Sequence, residues 1–150
     1  MKILNAAELE LTCAVAGYAP MDVNKFSVVD RRYALPTRNF LESAFSAALW
    51  SFQSFFDVLR WSEEANDCDD FARLAAAFGQ ILHYLTPTRP PATALAICEL
   101  WFVQDSGGGH AINSAVCGPD ASDVVCYEPQ TRQVVKLSDQ EKSQIHAIRF

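Results

Sequence analysis

An α+β fold, with helices in the first half of the chain and an antiparallel sheet in the second, is predicted by three observations on the 150-residue sequence. Apolar residues recur at three- and four-residue steps between Thr37 and Leu85. From Thr93 onward the pattern changes to β-compatible runs. The spacers between those runs are turn-rich and too short for crossover helices, which favours an antiparallel meander.

At 50% apolar content the chain can bury one core without metal or disulfide staples, so a single domain over 1–150 is expected. Lys and Arg number 12 against 18 Asp and Glu, a formal charge of −6, and no basic field is left to hold nucleic acid or an anionic membrane. The five cysteines, at 13, 68, 98, 117 and 126, are an odd set without CxxC spacing. That argues against a zinc ribbon or a complete disulfide framework, and most are expected to be buried thiols. Glu8 and Glu10 interrupt any signal-peptide apolar region, and no window approaches about 18 uninterrupted apolar residues. A soluble, cytoplasmic chain with no membrane span is expected.

Residues 1–36 read as an irregular N-terminal arm with a short helix in 1–12 and one short strand around Phe26 to Val29. Residues 37–85 form the helical part. Thr37 caps a long core helix carrying Phe40, Leu41, Phe45, Leu49, Phe52 and Leu59 and ending near Arg60. Asn66 or Asp67 caps a second helix, with Asp69 and Asp70 in its first turn and Phe71, Leu74, Ala75, Phe78 and Leu82 on one face; Pro87 stops it. Residues 93–150 form the sheet, with strands expected at Thr93 to Val103, His110 to Cys117, Asp123 to Tyr127, Gln133 to Leu137 and Ile145 to Phe150.

The chemistry converges on Cys68, at the start of the second helix, where amide dipoles can lower a thiol pKa. His110 opens a strand after Gly107-Gly108-Gly109 and can serve as base, and Glu128 can fix its tautomer. Cysteine, histidine and carboxylate in that order form a papain-like arrangement. Asp67, Asp69 and Asp70 oppose it, because like charge raises a thiol pKa. They either cap the helix and point away or bind a cation, for which oxygen ligands favour Ca²⁺ or Mn²⁺.

The segments Asp67-Cys68-Asp69-Asp70-Phe71, Gly108-Gly109-His110-Ala111-Ile112-Asn113 and Tyr127-Glu128-Pro129-Gln130-Thr131 resemble the C-terminal domain of fungal chimerolectins of the Marasmius oreades agglutinin type. The resemblance covers roughly residues 60 to 150. It implies a calcium-dependent papain-like cysteine protease with Cys68 as nucleophile, His110 as base and Glu128 as orienting carboxylate. It also implies Asn66, Asp69, Asp70, Glu128 and Gln130 as calcium contacts and Trp61 as oxyanion donor, with Gln53 as the competing donor. The sugar-binding trefoil of those lectins is absent from the sequence, so the resemblance implies no glycan targeting.

His83 and His146 lack partners in sequence and read as structural or exposed, and Cys98, Cys117 and Cys126 as sheet-packing residues. The triple glycine lacks the Lys-Ser/Thr of a phosphate loop and is expected to let a substrate backbone approach His110. The expected function is amide-bond hydrolysis by a cysteine peptidase through a thioester. The alternatives are murein-peptide hydrolysis, transglutaminase-like acyl transfer, or a non-enzymatic partner-binding scaffold that retains the fold. Expected partners are a peptide or protein substrate and a second copy of the chain as a homodimer.

Overall fold

A computed structural model describes residues 2–59 and 67–150. Nine strands fall into two sheets among these residues. In the smaller sheet, β1 (Ile3–Asn5) runs antiparallel to β3 (Arg32–Ala34), and β3 runs parallel to β4 (Ala94–Leu95). The larger sheet contains β2 (Phe26–Ser27), β5 (Ile97–Gln104), β6 (Gly108–Cys117), β7 (Asp123–Glu128), β8 (Gln133–Val135) and β9 (Ile145–Arg149), in the order β2-β9-β5-β6-β7-β8. β5 to β8 form an antiparallel meander, but β9 crosses back to pair with β5 instead of extending the edge at β8.

The helices are α1 (Ala6–Val15), α2 (Arg38–Phe40), α3 (Ser46–Phe55), α4 (Cys68–Leu85) and α5 (Asp139–Ser143), with a π-helical stretch at Leu41–Phe45 joining α2 to α3. The side chain of Thr37 accepts from the Phe40 amide at 3.0 Å and starts this run. The run stops at Phe55, short of Arg60, because Asp57 adopts φ 54° and Val58 N–H turns back to Gln53 O at 2.9 Å. Arg60 itself lies outside the described residues.

Alternation along the central strands shows why the segregated α+β plan is incorrect. On β5, Ile97 packs with Phe45, Leu49, Phe78 and Tyr127 beneath α3 and α4, whereas Cys98, Leu100 and Phe102 pack with Leu9, Cys13 and Tyr33 beneath α1. On β6, Ala115 and Cys117 face the first group and Ile112 and Val116 the second. The large sheet is therefore buried on both faces, which is what an unbroken apolar strand run signals. The architecture is sheet-centred with few helices, and the expected layering of N-terminal helices on a C-terminal sheet is corrected accordingly.

In the arm over 1–36, the expected helix and strand correspond to α1 and β2, and β1 and β3 are added to them. Asn5 and Glu8 form a reciprocal capping box, Asn5 Oδ1 accepting from Glu8 N at 3.0 Å and Glu8 Oε2 from Asn5 N at 2.8 Å, so α1 begins after a strand rather than at residue 1. Tyr33 and Ala34 are fully buried between the two sheets. The single run expected at Thr93 to Val103 divides at Ala96, whose N–H donates to Ala34 O at 2.9 Å and commits β4 to the smaller sheet.

Candidate functional site

The N-terminus of α4 is fixed against the sheet by Asn113 of β6. This fully buried amide donates to Ala72 O at 2.8 Å and to Cys98 O at 3.0 Å, tying the first turn of the helix to two strands. Asp67 is the cap residue by backbone conformation, but its side chain makes no capping bond. Cys68 is the first helical residue and half-buried.

Cys68, Trp101, Phe102, Gly109, His110 and His146 line a cleft of about 280 Å³. Phe102 and His110 are opposite partners on β5 and β6 with rings 5.7 Å apart in edge contact. His110 Nε2 lies 2.8 Å from Glu128 Oε2 on β7, and Glu128 Oε1 accepts from Gln130 N at 3.0 Å. The structure thus brings Cys68 and His110 into one cleft and places Glu128 behind the imidazole. Among the described residues no hydrogen bond joins Cys68 to His110.

Burial pushes the Cys68 thiol above its ordinary pKa; the backbone of Ala111 pulls the other way, and Asp67 and Asp69 add to the rise. The Asp67 and Asp69 carboxyls lie close enough to act on one another, which lowers the pKa of Asp67 and raises that of Asp69. Arg73 supplies a counter-charge one turn on, at 2.9 Å from Asp69 Oδ2 and 3.1 Å from Asp70 Oδ1.

The carboxylates gathered within 4.8 Å of one another are Asp67, Asp69 and Asp70. Of the expected ligands, Asp69 and Asp70 lie in this group together with Asp67, whereas Glu128 stands apart from it, its oxygens meeting His110 and the Gln130 amide. Gln130 meets Glu128 through its backbone N–H. Asn66 and Trp61 lie outside the described residues. Gln53, the competing oxyanion donor, is fully buried; its Nε2 donates to Pro129 O at 3.3 Å and its Oε1 faces Arg132 at 3.4 Å, so it braces the turn after Glu128. The triple glycine splits by role. Gly107 needs its φ of 90° for the β5–β6 hairpin, whereas a Cβ on Gly108 or Gly109 would meet nothing within 4 Å.

Sequence reasoning missed Trp101 and His146. Both sit in strands whose outward positions carry no local signal, and only the pairing of β9 with β5 carries His146 to the cleft. Trp101 is oriented by Arg149, whose guanidinium lies 5.3 Å from the ring centre, and its indole N–H points to Glu99 Oε2 at 3.4 Å. Cys13, Cys98, Cys117 and Cys126 are buried free thiols, and burial pushes Cys117 up to about 12 and Cys126 up to about 11. His83 is buried with Nε2 3.0 Å from Thr93 Oγ1. No helix among the described residues is long and apolar enough to cross a membrane.

No family model matches the sequence, and no curated protein matches it. Solved structures do share the fold. One, described as the PSL1a–E64 complex, is 22% identical with a TM-score of 0.77 and covers 99% of this chain and 51% of its own. Another, the Polyporus squamosus lectin bound to the human-type influenza-binding epitope Neu5Aca2-6Galb1-4GlcNAc, is 25% identical with a TM-score of 0.69 and covers 99% of this chain and 49% of its own. The chain spans about half the length of these neighbours. The papain-like core and the thiol-peptidase function expected from the sequence are corrected on the fold shared with the Polyporus squamosus lectin structure. The fold this chain adopts is the one found in those lectin chains.

Proposed function

We propose that the chain is a non-enzymatic binding module, the scaffold alternative among the functions considered, and that its ligand sits in the cleft between α4 and the β5–β6 hairpin. The observation that carries this reading is the composition of that cleft, where the Trp101 indole stands beside the imidazoles of His110 and His146. Aromatic faces pack against the apolar side of a small ligand while imidazole nitrogens satisfy its polar edge. The glycan in the description of one structural neighbour favours a sugar as ligand class.

Calorimetric titration with Neu5Acα2-6Galβ1-4GlcNAc tests the reading. Binding by the wild type that is lost in Trp101→Ala supports it. Hydrolysis of a peptide library that disappears in Cys68→Ala would overturn it.

A divalent cation, Ca²⁺ or Mn²⁺, belongs to the proposal at Asp67, Asp69 and Asp70. Their proximity supports it, as does Asp67 Oδ1, which is shielded from solvent and has no hydrogen-bond partner among the described residues. A Tm that rises with added Ca²⁺ and falls with EDTA is the expected outcome; a Tm indifferent to both removes the cation.

A further inference from the structure

The C-terminal end of α4 borders a second cavity, formed where the two sheets meet, with a volume of about 620 Å³. His83 lines it, fifteen positions from Cys68 and thus about 22 Å along the helix axis from the cleft described above. Its walls are apolar: Leu35 and Leu95 are buried beneath it, and Phe40 closes one side. Polar groups are few. His83 Nε2 is engaged by Thr93, and burial lowers the pKa of the ring and keeps it neutral. The Thr86 hydroxyl is turned to Leu82 O at 2.9 Å.

One charged side chain lines the cavity among the described residues, Lys2, whose Nζ donates to the backbone oxygen of Asp120 at 2.8 Å. The Asp120 carboxylate also feels the Lys2 charge, though its Oδ1 is taken by the Ser122 hydroxyl at 2.7 Å and the Ser122 amide at 3.2 Å and makes no direct bond to the ammonium. The ammonium retains donors for a second acceptor. An apolar chamber with a single cation at its rim matches an amphipathic anion.

We propose that this cavity is a ligand site distinct from the Cys68 cleft and that it takes a carboxylate with an apolar tail, the tail against Leu35, Phe40 and Leu95 and the carboxylate on Lys2. The size suits it, since small-molecule pockets of several hundred Å³ bury most of a ligand of that kind. The chain's net charge of −6 opposes an anion, so selectivity for the carboxylate over its neutral analogue rests on Lys2.

Titration of the full chain with decanoate and with decanol, followed by calorimetry, tests the proposal. One-to-one binding of decanoate is expected, and Lys2→Met should weaken it about fivefold, the amount a partly exposed charge pair supplies, while leaving decanol unchanged. Thr86→Trp, at an exposed rim position, should abolish binding of both without lowering Tm or altering ligand binding at the Cys68 cleft. Absence of decanoate binding, loss of decanol equal to that of decanoate in Lys2→Met, or indifference of both to Thr86→Trp would overturn the site. The glycan titration is independent of these variants, so either site can fail alone.

Discussion

The two ends of α4 are built on opposite principles. At the N-terminus, Cys68 stands among Asp67, Asp69 and Asp70 with Arg73 as counter-charge, half-exposed beside an aromatic cleft. At the C-terminus, His83 is buried against Thr93 with an apolar chamber beyond it. For Cys68 at one end and His83 at the other, burial is the largest influence and favours the neutral form. One helix therefore carries a polar binding edge and an apolar one, and what separates them is the charge placed in the first turn.

The largest expected effect falls at the lock on the N-terminal end. Asn113→Ala removes the two bonds that tie Ala72 O and Cys98 O to β6 and should cost about 1–3 kcal/mol in urea unfolding, with the Cys68 cleft loosened more than the His83 cavity. An unchanged urea midpoint would show that α4 is held from elsewhere.

At the other end the sign follows from the direction of the His83 shift. Its folded pKa lies below the unfolded value, so the unfolded chain binds the proton first; the stabilisation is present above about pH 6.5 and declines as pH falls through that value. His83→Gln should flatten this part of a Tm profile between pH 7 and 5. A profile of the same slope in the variant would assign the pH dependence to other groups.

Thiol reactivity sharpens the comparison further. Because Asp67 and Asp69 raise the Cys68 pKa, Asp67→Asn should increase the rate of iodoacetamide alkylation at neutral pH by a few-fold. Mass spectrometry after timed quenching reads it, and an unaltered rate would show that the Asp67 charge does not govern the thiol. The smallest effect is Arg73→Ala: its pairs are half-exposed, and about 0.5 kcal/mol of stability is expected to be lost. A loss well above 1 kcal/mol would mean the acidic turn depends on its internal counter-charge.

Helix starts were legible where a local side chain sets them. Thr37 is a cap wherever it is followed by helix-compatible residues, and Asp67 precedes the amphipathic run that makes α4. The π-helical stretch was not legible, because it is bound to a distant partner: Ser46 Oγ reaches Leu41 O at 2.7 Å and the Tyr127 hydroxyl at 2.8 Å. Nor was the use of Ala96 as the point where one β-run serves two sheets. For the site, residue types singled out Cys68, His110 and Glu128, and their spacing led to a peptidase reading that the solved neighbours correct. Trp101 and His146 carried no such signal, since a lone aromatic or imidazole on a strand looks the same on either face.

The sequence by itself determined where elements begin, which strand positions are apolar, and that first-turn carboxylates surround Cys68, because caps, periodicity and charge act over a few residues. Only the tertiary structure decided that β9 returns to β5, that the sheet is covered on both faces, and that Glu128 turns to His110 rather than to the acidic turn. Those outcomes depend on the burial of surfaces far apart in the chain, and burial has no local code.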